Sequence, residues 1–491
     1  MIEKILRLGK EAAIYGLSSV LGRFLNFLLV PLYTNYLLKA EYGVIATLYS
    51  YIGFAFILYG FGLDAAYMRY VSSMEIGDKK QNFSTPFLSH IASSIALTLA
   101  LLATAEAVAS AIGLERSGSL LVRYGAGILF FDTLAVIPFA SLRMSNRALS
   151  FAGIRIFHIL LTIALNVLLL LGFGMKAEGV LLANLVASAL TFAVLLGIII
   201  PQFTARFSMP LYRELLKFGL PYIPAGLAGI ALQVVDRPIL KALTDDATVG
   251  IYQANYRLGI FMMLVVGMFD YAWRPFFLSH AKEPDAKLLF SKVFTYFCTL
   301  ALGLFLAVSF FIDDLVRIQL FGRNFIHPDY WSGLAVVPWV LLAYVFNGAY
   351  LNFVIGVYLE KRTKYIPYVT GAGALVNVAA NFLLIPSLGI LGAAYATLAS
   401  YAVIAVGMYY ASQKFYPLVY EWGKVVRLAL VTLGLFAIFL VAHPEPGQLL
   451  NMLFKAVLVG SFFALAVVVR ALEPSDVRET VRLVRKRVGG S

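Results

Sequence analysis

The sequence predicts an all-α membrane protein that crosses the bilayer many times. Of its 491 residues, 61% are hydrophobic and only 13% are charged. Apolar runs of about 20 residues, each long enough for one bilayer crossing, recur from end to end. A soluble core has no room for that much apolar surface, and no loop is long enough to fold by itself.

The apolar runs divide into about fourteen predicted transmembrane helices. They cover residues 12–38, 44–71, 85–112, 121–143, 151–173, 179–200, 219–243, 249–275, 289–316, 332–358, 365–386, 389–412, 425–442 and 449–470. The stretch NFLLIPSLGILGAAYATLAS, residues 381–400, predicts two helices joined by a turn at Pro386 and Gly389. Small residues crowd its second half, which lets antiparallel helices pack closely.

The basic residues predict that both termini are cytoplasmic. Every loop or terminus predicted to lie inside carries at least two Lys or Arg residues, as the positive-inside rule requires. This distribution attributes the net charge of +13 to membrane topology and not to nucleic-acid binding. Residues 201–218 are predicted to form an amphipathic helix on the cytoplasmic face, and 471–491 a basic cytoplasmic tail that contacts anionic lipid.

Two internal matches predict a repeated architecture. The segments Pro31–Tyr49 and Pro238–Tyr256 share Pro, Gly and Tyr at an offset of 207 residues, and residues 166–188 resemble the stretch that begins at Asn381. We therefore expect two six-helix pseudo-symmetric lobes, at 1–200 and 219–412, followed by two more helices within 413–470. Repeated bundles around a midplane site are common in secondary transporters.

Several stretches resemble one family of membrane transporters. EYGVIATLYSY, GFGLDAAYMRYV, VDRPILKAL, VGIYQANYRLG and NFLLIPSLGILGAAYAT are similar to sequences of the Wzx-type polysaccharide and O-antigen flippases. These form a branch of the MOP (multidrug/oligosaccharidyl-lipid/polysaccharide) flippase superfamily. The resemblance implies two lobes around a V-shaped cavity and alternating access.

The resemblance also implies a substrate and a location. The substrate would be an undecaprenyl-diphosphate-linked oligosaccharide, turned across the bacterial inner membrane for O-antigen, capsule or exopolysaccharide synthesis. Membrane lipids, a polysaccharide polymerase and glycosyltransferases would be its partners. The lipid II flippase of peptidoglycan synthesis and the MATE drug exporters share the fold, and these activities are the alternatives.

Arginines inside predicted helices are candidates for holding a diphosphate. A basic side chain at mid-bilayer costs roughly 2.5–3.5 kcal/mol, so it normally faces protein or water. Arg23, Arg237 and Arg257 are predicted to bind substrate, with Asn26 and Gln233 as polar contacts. The structural alternative for Arg237 is a pair with Asp236, and because neighbours on a helix do not face each other, we expect that pair to need another helix.

Acidic residues in the helices suggest gating and coupling. Asp64 and Arg69, like Asp270 and Arg274, place an acid about one turn before a base near a predicted cytoplasmic end, so they are predicted to form gate salt bridges. The alternative is that both arginines reach out to the interface. Candidates for binding a coupling ion, H⁺ or Na⁺, are Asp132, Glu106 and Asp236. A structural hydrogen bond is the alternative role for such a carboxyl group.

The sequence favours a transporter over an enzyme. It contains no evident acidic catalytic motif and no Gly-rich nucleotide loop. Its five histidines lack metal-ligand spacing, so we expect neither a metal centre nor another cofactor. The single Cys298 excludes an internal disulfide.

Overall fold

The computed structural model describes residues 16, 20–114, 118–442 and 444–472. Most of the predicted basic tail and the start of the first predicted helix lie outside these ranges. The described residues are mainly helical, with a short hairpin that pairs Gln319–Leu320 with Arg323–Asn324.

Residues 20–27 are helical and precede twenty further helices. These are α1 (Leu29–Tyr36), α2 (Lys39–Gly60), α3 (Leu63–Ser73), α4 (Lys79–Ala103), α5 (Ala105–Ala111), α6 (Ser119–Met144), α7 (Ala148–Val167), α8 (Ala177–Ile199), α9 (Met209–Gly219), α10 (Tyr222–Val234), α11 (Asp236–Leu243), α12 (Asp246–Tyr256), α13 (Ile260–His280), α14 (Ala286–Arg317), α15 (Val337–Phe353), α16 (Ile355–Leu359), α17 (Tyr365–Leu388), α18 (Ile390–Phe415), α19 (Trp422–Ala442) and α20 (Leu449–Val468). A π-helix covers Leu168–Gly172, and 3₁₀-helices cover Arg257–Gly259 and Pro328–Val336.

Twelve helical segments in the described ranges are long and apolar enough to cross a membrane, or thirteen if the bent pair α9 and α10 counts as one span. The multi-pass architecture predicted from the sequence is confirmed. The predicted helix 219–243 is interrupted after Val234. Pro238 has no N–H to donate to the Val234 carbonyl, so α10 ends there and α11 starts anew.

Contacts divide the chain into two compact units. The first contains residues up to 257 together with 328–333 and 370–400, and the second contains 258–327, 334–369 and the residues from 401 onward. The predicted division into lobes at 1–200 and 219–412, with a linker at 201–218, stays a prediction. Within 201–218, the helix α9 begins only at Met209, after Ser208 caps its first turn.

In the first unit, α2 and α12 cross at two glycines that are 207 positions apart. A Cβ atom at Gly43 would lie 1.7 Å from the carbonyl oxygen of Asp246, and one at Gly250 would lie 2.0 Å from that of Lys39. Lys39 and Asp246 each precede their own helix's glycine by four positions, so the contact is symmetric. Because only glycine permits such close helix backbones, the offset found in the sequence corresponds to a real structural repeat.

The chain breaks between α2 and α3, inside a segment that would otherwise be one continuous helix. Phe61 and Gly62 both adopt left-handed φ values, 49° and 65°. A Cβ atom at Gly62 would lie 2.3 Å from the carbonyl oxygen of Gly219, so a second glycine packs against the break. The buried His90 ring places Nε2 3.2 Å from the freed Gly60 carbonyl oxygen.

The hairpin of α17 and α18 confirms the expectation for residues 381–400. The turn occurs at Gly389, with φ 56°, while Pro386 stays within the last turn of α17. A Cβ atom at Gly392 would lie 2.5 Å from the Leu384 carbonyl oxygen, so glycine allows the two helices to approach. Asn381 is fully buried and donates a hydrogen bond to a neighbouring asparagine in α17.

The second unit is organised around the long helix α14, which packs against α15, α19 and α20. A buried ion pair joins Lys455 of α20 to Asp314 of α14, with Nζ and Oδ2 2.6 Å apart. The other Asp314 oxygen accepts a hydrogen bond of 2.8 Å from the Gly447 N–H. Satisfying both carboxylate oxygens allows this charge to remain inside an apolar bundle.

Candidate functional site

The first unit contains a polar cavity of about 390 Å³ whose walls come from α2, α6, α7 and α8. Its polar wall residues are Tyr49, Asp132, Arg155, His158, Asn184, Ser188 and Thr191. All four helices belong to segments apolar enough to cross a membrane. Ionisable groups at such a place are rare and usually mark a pathway or a binding site.

A second cavity of about 300 Å³ adjoins the first. It extends to α3 and α10 and exposes the side chains of Asp64, Arg143 and Tyr222. The two cavities share the wall residues Phe56, Val136, Phe139 and Arg155. Arg155 therefore faces both, and the break between α2 and α3 borders the second through Gly60 and Gly62.

Arg155 is positioned by aromatic rings. Its guanidinium lies 4.2 Å from the ring centre of Phe139 and 5.7 Å from that of Phe151, which is four residues earlier on the same helix face. Arg143 lies 5.0 Å from the Phe151 ring, and the two guanidinium groups repel each other. Within the described part of the chain, neither group has a carboxylate oxygen within 4.0 Å. Stacking orients these cations while leaving N–H edges available to an anion.

Asp132 and His158 complete the charged wall of the first cavity. His158 Nδ1 lies 3.0 Å from Thr191 Oγ1, and the Ser188 hydroxyl donates a 3.4 Å hydrogen bond to Asn184 Oδ1. Asp132 also interacts electrostatically with both His158 and Arg155. A carboxyl group, a guanidinium and an imidazole thus line one cavity of about 390 Å³.

Of the predicted arginines, Arg257 connects to this cavity through Tyr49. The Asn184 amide donates a 2.8 Å hydrogen bond to the Tyr49 hydroxyl. Arg257 is half-buried and acts electrostatically on the hydroxyls of Tyr49, Tyr33 and Tyr42. Its role in substrate binding stays a prediction.

Arg237 is held in a buried network. Its Nη1 lies 2.6 Å from Asp236 Oδ1 and also donates to the Gln233 carbonyl, while Nε donates a 2.9 Å hydrogen bond to Gln253 Oε1. Tyr252 donates a 2.5 Å hydrogen bond to the second Asp236 oxygen. The expectation that this pair needs another helix was wrong, because the long Arg237 side chain folds back at the α10–α11 break to reach its neighbour.

The remaining predicted contacts lie elsewhere. Arg23, Asn26 and Gln233 are exposed, and none of the three is among the wall residues of the two cavities. The Gln233 side chain donates to the Gly229 carbonyl of its own helix. Their roles stay predictions.

The three candidate coupling acids occupy different environments. Asp132 lines the first cavity. Glu106 has a side chain that is 75% exposed and lies 4.0 Å from Arg123, whereas Asp236 is occupied by Arg237. Of the three acids, Asp132 is therefore the one placed to interact with a ligand in the first cavity.

The predicted gate residues do not share one arrangement. Asp64 lines the second cavity, and Arg69 lies 4.8 Å from the Phe218 ring centre. In the second unit, Asp270 and Arg274 pair with each other along α13, with Nε and Oδ1 2.9 Å apart. Whether these residues gate transport stays a prediction.

Sequence reasoning missed Arg143, Arg155 and His158 as cavity residues. Arg155 stood five residues into a predicted helix, where a cation normally reaches the interface, and His158 was judged only for metal spacing. A signal was present nevertheless, because Phe151, Arg155 and His158 recur at helical spacing on one face. The described residues contain no cluster of His, Cys, Asp and Glu suited to a metal ion.

The helical arrangement is similar to those of two kinds of solved membrane protein. It is similar to the lipid II flippase MurJ in an inward closed conformation, with a TM-score of 0.74 at 15% identity over 94% of this chain and 98% of that one. It is also similar to an inward-facing multidrug resistance MATE family transporter, with a TM-score of 0.64 at 12% identity over 84% of this chain and 97% of the other. These likenesses show the fold, which is that of a multi-pass helical membrane protein.

The family follows from the sequence itself. Residues 8–281, more than half of the chain, match the family described as "Polysaccharide biosynthesis protein", and the chain belongs to that family. It is also similar to the uncharacterized membrane protein MJ1068 of Methanocaldococcus jannaschii. The two are 23% identical over a match that covers 80% of this chain and 83% of MJ1068.

Proposed function

We propose that the protein is a flippase for a lipid-linked oligosaccharide whose headgroup is joined through a diphosphate. The substrate would be an undecaprenyl-diphosphate-linked glycan used for a surface polysaccharide. Membership in the polysaccharide family and the transporter fold support this function. The observation that carries it is the pair Arg143 and Arg155, which face membrane-embedded cavities with no carboxylate within 4.0 Å among the described residues.

The chemistry of the cavities suits such a headgroup. Guanidinium groups make paired, charge-assisted hydrogen bonds to phosphate oxygens. An anion between Arg143 and Arg155 would also relieve their mutual repulsion. The two volumes, about 390 and 300 Å³, lie within the range typical of small-molecule sites.

The first cavity also offers groups for sugar hydroxyls. Asn184, Ser188 and Thr191 lie at intervals of three to four residues, so they line one face of α8. Together with Tyr49 they supply both donors and acceptors. We therefore place the diphosphate at Arg155 and the first sugar against α8.

The distribution of basic residues supports a setting for this transport. The basic loops favour cytoplasmic termini, and a polyprenyl-linked glycan made on the cytoplasmic leaflet would be released on the periplasmic side of the inner membrane. Glycosyltransferases would supply the substrate and a polymerase would consume it. Alternating access, driven by an H⁺ or Na⁺ gradient, is the proposed mode of transport.

The test is flipping in sealed proteoliposomes that contain a fluorescent undecaprenyl-diphosphate oligosaccharide. Arg155→Ala removes a charge-assisted bond worth about 1.5–3 kcal/mol, so the initial rate at subsaturating substrate should fall by about 10- to 100-fold. Arg155→Lys keeps the positive charge but loses the paired N–H donors of the guanidinium, so its flipping rate should lie between those of the wild type and Arg155→Ala. Arg123→Ala, a half-exposed arginine on α6, is the matched control and should flip normally.

Two outcomes would overturn the proposal. One is wild-type flipping that Arg155→Ala leaves unchanged, and the other is no flipping of any diphosphate-linked lipid by the wild type. The similarity to MurJ favours lipid II as a second candidate substrate, which the same assay tests directly. The cavity acids Asp64 and Asp132 favour a third candidate, cationic drug export, which would appear as dye efflux that does not require Arg155.

A further inference from the structure

The ionisable groups at the first cavity come from three of its four walls. Helix α2 presents Tyr49, α6 presents Asp132, and α7 presents Arg155 and His158. Helix α8 presents only neutral polar groups, while Arg143 faces the adjoining cavity and Arg257 acts on Tyr49 from beyond the wall. Asp64 also lines the adjoining cavity, so any ligand of Arg155 enters the field of two carboxyl groups, Asp132 and Asp64, and of the His158 imidazole.

Asp132 balances the charge of Arg155 without fixing it in place. The two interact electrostatically, yet no N–O distance between them is within 4.0 Å. The cavity thus presents one carboxyl group and one guanidinium group, and Arg155 keeps N–H edges for another ligand.

An anionic ligand changes that balance. A diphosphate at Arg155 adds negative charge beside the Asp132 carboxylate, in a space walled by apolar helices where Coulomb repulsion is weakly screened. Two nearby anions share a site most readily when one of them takes up a proton. His158 interacts with Asp132 on the same wall and presents a second group able to hold that proton.

We propose that the first cavity is a linked site for a diphosphate anion and a proton, in which anion binding to Arg155 is accompanied by proton uptake on Asp132 or His158. This inference rests on the proposed function and specifies how its site is coupled. The proton comes from solvent and resides on a carboxylate oxygen or on an imidazole nitrogen. No covalent bond to the substrate is formed.

The coupling of anion binding to proton uptake determines whether the affinity for the anion rises or falls with pH. If one proton is taken up per anion, affinity increases as pH falls, by at most tenfold per pH unit. A doubly esterified diphosphate keeps its charge near neutral pH, so the protein supplies this dependence. Reciprocally, protonation of the cavity favours loading, and loss of that proton favours release.

The test measures binding and proton uptake separately. Wild-type protein in nanodiscs is titrated with a fluorescent undecaprenyl-diphosphate oligosaccharide at several pH values between about 6 and about 8, and a pH-indicator dye in weak buffer reports proton uptake. We expect affinity to rise as pH falls and uptake to approach one proton per ligand. Asp132→Asn combined with His158→Gln should still bind, with affinity independent of pH and without uptake. Glu178→Gln, which alters an exposed acid at the start of α8, should behave as wild type.

The outcomes separate this inference from the function on which it rests. Binding that depends on Arg155 but shows no proton uptake by the wild type would overturn the inference and leave the proposed function standing. Uptake that persists in the double variant would overturn it as well, because the proton would then reside elsewhere. If the wild type does not bind the ligand, or if Arg155→Ala binds it as well as the wild type does, the result would count against the proposed function. If the double variant does not fold, the wild-type dye measurement still decides.

Discussion

Replacing Gly43 with alanine tests the closest helix contact in the first unit. The added Cβ atom would lie 1.7 Å from the Asp246 carbonyl oxygen, whereas contacts below 3.0 Å are essentially never seen. The helices α2 and α12 would therefore have to separate by more than about 1 Å. Both opposing atoms belong to helix backbones, so no side chain can rotate away, and we expect a destabilisation of about 3 kcal/mol, the upper end for overpacking.

The assay is thermal unfolding of the purified protein in detergent. Gly43→Ala should lower the unfolding temperature, and Gly250→Ala should do so similarly, because its Cβ atom would lie 2.0 Å from the Lys39 carbonyl oxygen. The double variant should lose less than the sum, since one separation relieves both contacts. Gly153→Ala on α7, where nothing lies within 4 Å, is the control and should be neutral or slightly stabilising. A Gly43→Ala variant as stable as Gly153→Ala would refute the symmetric close contact.

Two further perturbations probe the second unit. Lys455→Met should destabilise the protein by about 3–5 kcal/mol because it leaves the buried Asp314 carboxylate without its positive partner. Adding Asp314→Leu should restore part of the lost stability. Thermal unfolding of both variants checks this. Burial raises the pKa of Glu421, but hydrogen bonds from Lys424 and Thr295 outweigh it and hold the pKa below its ordinary value of 4.5. The ionised carboxylate should therefore stabilise the protein above about pH 4.5 and lose this effect as pH falls through the lower folded-state pKa. The difference in unfolding temperature between wild type and Glu421→Gln should shrink between about pH 6 and about pH 3, and a constant difference would contradict the assignment.

Patterns that depend on chain geometry were predictable from the sequence. Hydrophobic length alone indicates membrane-spanning helices, and Gly389 with Gly392 indicates a tight hairpin because few other residues permit it. The repeat offset that links Gly43 to Gly250 was readable for the same reason. Each of these rests on a local steric rule.

The composition of the cavity was harder to predict because it depends on which helix face turns inward. Arg237 has the sequence signature of a site cation, yet it is buried against Asp236 and Gln253. Arg155 was not among the predicted site residues, and only the packing of α6 against α7 places it between two cavities. Helical spacing shows which residues share one face of a helix. The rotation of that helix about its axis, which the sequence does not give, determines whether that face lines the cavity.

The most direct measurement of the central claim is mass spectrometry of the lipid that co-purifies with the protein from its native membrane. If Arg155 holds the headgroup, the wild type should retain a polyprenyl-diphosphate-linked glycan, and Arg155→Ala, purified in parallel with Arg123→Ala, should lose it selectively. Equal retention of that lipid by Arg155→Ala, or recovery of bulk phospholipid alone from the wild type, would contradict the account.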